Sequence, residues 1–430
     1  MFKIRYVSAV LLVLIALAPL SALAQDDDNL PPVPPGRIAV GDDSGLFTIR
    51  ADGSDQLYLA EDGSEDCWLR DGAWSPDGGL MLYTSICGGG TANNWRPQPD
   101  EGPRTARIFI YDFASQSSRE LIANNGDYQD YAGTWHPDGE RYVIYSNREN
   151  DTYNLYLVNY ITEETTPLTA FNDNVGHVAF DPTGRFLLYN RYVPQTDGLR
   201  WEVHALDIES GTLPATDDMF VTAGFTPNWS PDGQWIAFAD DQDIFVMPAD
   251  CILNKTSCAP EADAINVTQT PEIEEREPFF SPDQTQIAYL ADTNLDPVLR
   301  TWDLYRQELR TGLRQRLTET ANVSERSSGW QPEDVERASI PDNVPVFGRV
   351  NANDQVNFRS SPSTASDANR IGTLAPNTQL IVQGVARLTD RDWYQVTLAE
   401  DGTVGWIAAS LVALEGDEAR IPDITAEVPQ

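Results

Sequence analysis

The chain has 430 residues and carries 66 acidic against 29 basic side chains, a formal net charge of −37. A surface so acidic repels nucleic-acid phosphates and anionic lipid headgroups, which removes nucleic acid and charged membrane from the expected partners. With 41% hydrophobic residues there is material for a sizeable core, and the length suggests more than one domain.

Lys3 and Arg5 precede an apolar run over 7–20, and Ala22-Leu23-Ala24 offers small residues for cleavage before Gln25. That is the pattern of a secretory signal peptide over 1–24, too short to span a bilayer comfortably and without a basic stop after it. No cysteine follows the cleavage site, and no second apolar stretch approaches spanning length. The mature chain is therefore expected to be exported, with no membrane insertion after cleavage. Residues 25–36, with Asp26-Asp27-Asp28 and then Pro31, Pro32, Pro34 and Pro35, read as a stiff acidic linker.

Beyond the linker one motif recurs. Trp229-Ser230-Pro231-Asp232-Gly233, followed by Gln234-Trp235-Ile236-Ala237-Phe238, has the chemistry of a tight hairpin: proline and aspartate at the corners, glycine where φ turns positive. Copies stand at Trp74-Ser75-Pro76-Asp77-Gly78, Trp135-His136-Pro137-Asp138-Gly139 and Phe180-Asp181-Pro182-Thr183-Gly184. Weaker ones stand at Phe280-Ser281-Pro282-Asp283-Gln284 and Trp330-Gln331-Pro332-Glu333-Asp334. The prolines are separated by 61, 45, 49, 51 and 50 residues, a period that marks a radial array of small sheets.

Each repeat parses into four strands. Apolar pairs five and seven positions after the proline (Met81/Tyr83, Tyr142/Ile144, Leu187/Tyr189, Ile236/Phe238, Ile287/Tyr289) put two side chains on one face of the second strand. Third strands are expected over 108–111, 155–158, 203–206, 244–247 and around Leu304. Fourth strands are expected to end near Leu121, Leu168, Leu213, Val267 and Leu317. The last motif has no strands after it, and residues 38–40, 46–49 and 57–59 look like second, third and fourth strands without a first. The two fragments complete one another. The expected fold is all-β: a six-bladed β-propeller over 37–335, closed by joining N- and C-terminal strands.

These motifs resemble the TolB-like propeller repeat, whose signature is the Trp-Ser-Pro-Asp-Gly sequence followed by Ile-Ala-Phe. The resemblance covers about 300 residues. TolB carries an α/β domain before its propeller, whereas here only the linker precedes it, so partnership with Pal is not carried over. After a short linker at 336–343, Val356-Asn357-Phe358-Arg359-Ser360-Ser361-Pro362-Ser363 is similar to the opening of a bacterial SH3 domain. Ile371-Gly372-Thr373-Leu374, Trp393-Tyr394-Gln395-Val396, Gly405-Trp406-Ile407 and Ser410-Leu411 follow in that family's order. The resemblance implies a small SH3-like β-barrel over 344–415 that binds cell-wall peptide or glycan, or serves as an adaptor. Trp393 and Trp406 are then either barrel core or ligand contacts. Residues 416–430 read as a disordered acidic tail.

The motif aspartates are turn residues, and their repetition is what the repeat itself requires. No Gly-x-Ser-x-Gly elbow is present, and His136, His177 and His204 lack the spacing of one metal site, so neither metal nor cofactor is expected. The four cysteines suit an oxidising compartment. Cys251 and Cys258 bracket a short loop. Cys67 and Cys87 each stand ten residues from Asp77 and so oppose one another across a strand pair.

Two features could recognise a ligand. The first blade carries an insertion that includes Trp95 and Arg96. The residues four places before each motif aromatic are Arg70, Tyr131, Gly176, Phe225, Arg276 and Arg326. The three arginines fall on neighbouring blades of a closed ring. They can share one mouth of the channel and attract a carboxylate or phosphate, or each can pair with adjacent Asp71, Glu275, Glu277 or Glu325. The expectation is an exported, non-catalytic recognition or scaffold protein, periplasmic or cell-wall associated. Its partner would be an envelope or extracellular protein or a cell-wall peptide or glycan. The alternative is a glycan-acting hydrolase or lyase that uses the channel.

Overall fold

The computed structural model describes residues 32–428 apart from 43–44, 62–66, 88–104, 122–127, 150, 196–197, 211, 241, 271–272, 293–300, 320–325, 336, 338–344, 365–366, 400–401 and 416–417. The expected signal peptide, most of the second linker, and Trp95 and Arg96 lie outside the described residues.

The first three strands, β1 (Arg37–Asp42), β2 (Gly45–Arg50) and β3 (Leu57–Glu61), pair antiparallel in that order and lack an innermost strand from their own stretch of chain. Five four-stranded antiparallel blades follow. The first is β4 (Cys67–Trp74), β5 (Leu80–Cys87), β6 (Thr105–Asp112) and β7 (Ser117–Leu121). The second is β8 (Asp130–Trp135), β9 (Arg141–Ser146), β10 (Asn154–Asn159) and β11 (Thr165–Pro167). The third is β12 (Val175–Phe180), β13 (Phe186–Gln195), β14 (Gly198–Asp207) and β15 (Met219–Ala223). The fourth is β16 (Phe225–Trp229), β17 (Trp235–Asp240), β18 (Asp243–Pro248) and β19 (Ile265–Asn266), with two one-turn helices between its last strands. The fifth is β20 (Glu274–Phe280), β21 (Gln286–Asp292), β22 (Trp302–Glu308) and β23 (Arg314–Arg316).

β24 (Arg326–Trp330) then pairs antiparallel with β1, Ile38 opposite Trp330, and completes a sixth sheet in the order β24-β1-β2-β3. Each inner strand contacts that of the next blade, and β24 returns to β4, so the ring is closed. Closure leaves no inner strand edge to template association.

The motif turns explain the radial repeat locally. Ser75 Oγ donates to Asp77 Oδ1 at 2.6 Å, and Gly79 N donates to the same oxygen at 3.0 Å. Gly78, Gly139, Gly184 and Gly233 have φ between 69° and 78°, a region that costs glycine nothing. The core lies between blades: Leu82 and Ile108 of the first pack with Trp135 and Ile144 of the second, all buried. All five predicted second-strand pairs are buried.

One outer strand differs from expectation. The third blade's fourth strand is β15 and does not end near Leu213. Leu213 and Ala215 are drawn instead to the second and third blades' shared cluster, and Ala215 exchanges backbone hydrogen bonds of 2.8 Å with Leu168 and Ala170. The last residues of the first linker are also not a free spacer. Pro32 O accepts from Gln286 Nε2 at 2.6 Å and from Arg306 Nη1 at 3.1 Å, and Trp330 Nε1 donates to Pro35 O at 2.8 Å.

The barrel is β25 (Val346–Val350), β26 (Val356–Arg359), β27 (Arg370–Leu374), β28 (Gln379–Arg387), β29 (Asp392–Leu398), β30 (Val404–Ala408) and β31 (Val412–Leu414). Its sheet order is β27-β26-β30-β29-β28-β25-β31. It docks on the propeller. Gln269 Nε2 donates to Pro345 O at 3.1 Å, and Phe347 N donates to Gln269 Oε1 at 3.2 Å. Leu313 packs against the buried cluster of Phe347, Ile381 and Ala399, and Arg314 hydrogen-bonds Gln379.

The expectation of a disordered tail is corrected for 418–428. Ile421 is buried in the barrel core, and Ile424 and Val428 pack on the cluster of Trp393 and Trp406. The acidic composition of this segment concealed three well-spaced aliphatic side chains.

Candidate functional site: the central channel

The inner strands carry a shared irregularity. In β4, β12, β16 and β20 the ladder slips immediately after Arg70, Gly176, Phe225 and Arg276, the positions four before the motif aromatic. The next residues, Asp71, His177, Thr226 and Glu277, have φ of 59°, 45°, 50° and 54°. Side chains other than glycine enter this region at a cost, which the surrounding structure must offset.

A bulge also frees a backbone N–H, and the preceding part of the ring supplies its acceptor. Ala132 N donates to Thr84 Oγ1 at 2.8 Å, Thr226 N to Asn190 Oδ1 at 2.8 Å, and Glu277 N to Thr226 Oγ1 at 3.0 Å.

The bulges line a small solvent-open cavity of about 100 Å³ on the propeller axis, walled by Asp71, Ala132, His177, Thr226 and Glu277 with their neighbours and by Tyr145. Asp71 Oδ2 accepts from Arg70 Nε at 2.8 Å, from Thr84 Oγ1 at 3.3 Å and from Tyr145 OH at 3.3 Å. Burial disfavours the Arg70 charge, but Asp71, Tyr145 and Tyr131 outweigh it and the guanidinium stays protonated more firmly than usual. Burial, reinforced by Asp71, pushes the Tyr145 phenol well up. Tyr131 stacks on Tyr145 with centroids 5.1 Å apart, and the Arg70 guanidinium lies 5.6 Å from the Tyr131 centroid.

Arg70, Arg276 and Arg326 thus hold corresponding positions on the inner strands of three consecutive blades. The side chains of the first two turn to local partners. Arg70 pairs with Asp71, while the Arg276 guanidinium lies 3.6 Å from the Trp302 centroid with Glu277 Oε1 3.7 Å from its Nε. Arg326 is placed by its backbone, opposite Gly41, and its side chain lies outside the described residues. In the barrel, Trp393 and Trp406 are 1% and 8% exposed and belong to the interior. Cys67–Cys87 and Cys251–Cys258 are disulfides, the first between directly opposed residues of β4 and β5.

Reading the same repeat alignment one residue further along gives the channel wall: Asp71, Ala132, His177, Thr226 and Glu277. That signal was in the sequence but needed knowledge of the bulge. Tyr145, from β9, carried no comparable mark. Among the described residues, no three His, Cys, Asp or Glu side chains are grouped to hold a metal ion.

The fold and channel define a six-bladed β-propeller joined to an SH3-like barrel. The bacterial SH3 domain family matches residues 354–413, so the chain carries a bacterial SH3 domain behind its propeller. Among solved structures, a putative TolB from Agrobacterium tumefaciens is 16% identical, with 66% of this chain and 89% of that one covered at a TM-score of 0.45. TolB from Acinetobacter baumannii is 16% identical, with 53% and 64% covered at 0.31, so this chain spans just under two thirds of its length. An oligogalacturonate lyase in complex with manganese is 13% identical, with 59% and 69% covered at 0.40. No curated protein matches the chain. The two disulfides fit an exported protein, and no described helix is long and apolar enough to cross a membrane.

Proposed function

We propose that this is an exported, non-catalytic recognition or scaffold protein of the periplasm or cell wall. Its propeller takes a protein or small anionic ligand at the channel face formed by the bulged inner strands. Its barrel attaches to cell-wall peptide or glycan, or to a partner protein. The supporting observation is the reciprocal pair of hydrogen bonds between Gln269 and Pro345/Phe347, which fastens the barrel to the propeller. A scaffold gains from such coupling, because its two ligands are then held at a fixed separation. The motif aspartates fit this reading. Asp77 is held below the usual carboxylate range by the Ser75 hydroxyl and the Gly79 amide, which suits a turn residue and not a general acid.

The test is to incubate the full chain with purified peptidoglycan and to follow both sedimentation and soluble fragments. Retention without fragment release supports the reading. Release of sugar or peptide fragments would overturn it in favour of a glycan-acting enzyme.

A further inference from the structure

One edge of the barrel is covered by the chain's own C-terminal segment. β25 pairs with β28 only from Gln379 to Val382, so β28 beyond Gly384 has no barrel neighbour on that side. The C-terminal segment fills the gap. Val385 N donates to Pro422 O at 2.8 Å, and Ile424 N donates to Val385 O at 2.9 Å, a parallel bridge between Val385 and Asp423. Arg387 N donates to Thr425 Oγ1 at 2.7 Å. Both polar groups of one edge residue are thereby satisfied by a short extended stretch between two 3-10 turns (Glu418–Arg420 and Thr425–Glu427), a one-residue version of strand-addition bonding.

Side chains supply selectivity. A Cβ on Gly384 would come within 2.6 Å of Ile424 Cδ1, so the glycine forms a cleft shaped to that aliphatic side chain. Ile424 and Val428 also cover the Trp393 and Trp406 cluster, and within it Trp393 Nε1 is buried without a hydrogen-bond partner. Arg387 faces Asp423 at 3.8 Å and Glu418 at 3.9 Å, besides Asp392 at 3.1 Å. These pairs are half exposed, so they select charge more than they bind.

We propose that this edge of the bacterial SH3 domain is a peptide-recognition groove, occupied in cis by residues 418–428, and that an extended acidic segment of a partner protein bearing an aliphatic residue displaces them. Three edge hydrogen bonds, the aliphatic anchors Ile421, Ile424 and Val428, and exposed ion pairs make a strap that holds the groove, with Ile421 reaching into the barrel core. The inference is independent of what the propeller binds.

A full-length chain with a protease site at 416–417 tests it. After cutting, a fluorescent peptide of residues 418–430 should exchange into the groove, whereas the uncut chain should take it up at least tenfold more weakly. The same peptide with Ile424→Asp should fail to exchange. In the uncut chain, Gly384→Val should make residues 418–428 protease-sensitive. Ile424→Asp should do the same without altering the groove, and so covers the case in which Gly384→Val does not fold. No uptake by the cut chain, or loss of the barrel's melting transition when the strap is washed out, overturns the proposal.

Discussion

The amide of Glu277 donates to Thr226 Oγ1 at 3.0 Å across the seam between the fourth and fifth blades. Thr226 N is in turn bonded to Asn190 Oδ1 of the third blade. Three blades are thus linked through groups that the bulges removed from their own ladders. Both acceptors are buried, so removing one strands a donor away from water. Asn190→Ala and Thr226→Val should each cost about 1–3 kcal/mol in denaturant unfolding. A loss below about 0.5 kcal/mol would mean that another group takes the freed amide.

Ring closure rests on β1 and β24. Ile38 is fully buried and Trp330 is 7% exposed, in a cluster shared with Phe279 and Leu304 of the fifth blade. Deleting residues 37–60 would expose edges on two sheets, and the propeller should lose its sharp thermal transition. Trp330→Ala should weaken it by roughly 3–5 kcal/mol. A deletion variant that melts as sharply and as high as the parent would refute closure.

The disulfides are checked by non-reducing peptide mapping of exported protein, which should recover Cys67 with Cys87 and Cys251 with Cys258. Replacing both Cys67 and Cys87 with serine should destabilise the first blade by about 2–4 kcal/mol, since this bridge constrains a longer loop than the other. A Cys67–Cys258 peptide would contradict the register of β4 on β5.

Glu275 gives the fold a pH dependence. Burial pushes its carboxyl up to about 8, only partly offset by the Thr268 and Thr270 hydroxyls and Arg314. Thr270 Oγ1 donates to Oε1 at 2.7 Å, while Oε2 has no hydrogen-bond partner. Between its ordinary value of 4.5 and about 8, the folded chain keeps a proton that the unfolded chain releases. This group's contribution therefore falls as pH rises through that window, by several kcal/mol in order of magnitude, and levels off above it. Glu275→Gln should remove the slope, gaining on the parent as pH rises toward 8. Urea midpoints of both proteins from pH 5 to 9 measure it, and parallel curves would rule it out.

The ring and the disulfide pairs were legible in the sequence because each rests on local spacing, and the closure because the incomplete strand sets at the two ends complete one another. Trp74, Trp135 and Trp229 mark the same strand end, and Cys67 and Cys87 lie symmetrically about one turn. What escaped depends on partners far along the chain. Leu213 looked like the end of a strand and instead packs toward the second blade. Gln284 looked like a lapse from the motif glycine. It takes φ 60°, accepts from Asp232 N at 2.7 Å and donates to Asp232 Oδ2 at 3.0 Å, so the departure is a contact between blades. The arginines aligned as expected, but alignment gives backbone position only. Asp71 and Trp302 decide where the side chains of Arg70 and Arg276 lie.

The anchoring of Pro32 to Gln286 and Arg306 has a mechanical consequence. Residue 32 leads into the sixth blade yet is fastened to the fifth, and the barrel follows the sixth blade yet rests on Leu313 and Arg314 of the fifth. A pull between these two attachments enters the ring at the fifth blade and, through Gln269, at the connection that leads into it from the fourth. Tension across the same points loads the side-chain bonds of Gln286, Arg306, Arg314 and Gln269 in parallel with the strand pairing of β1 with β24.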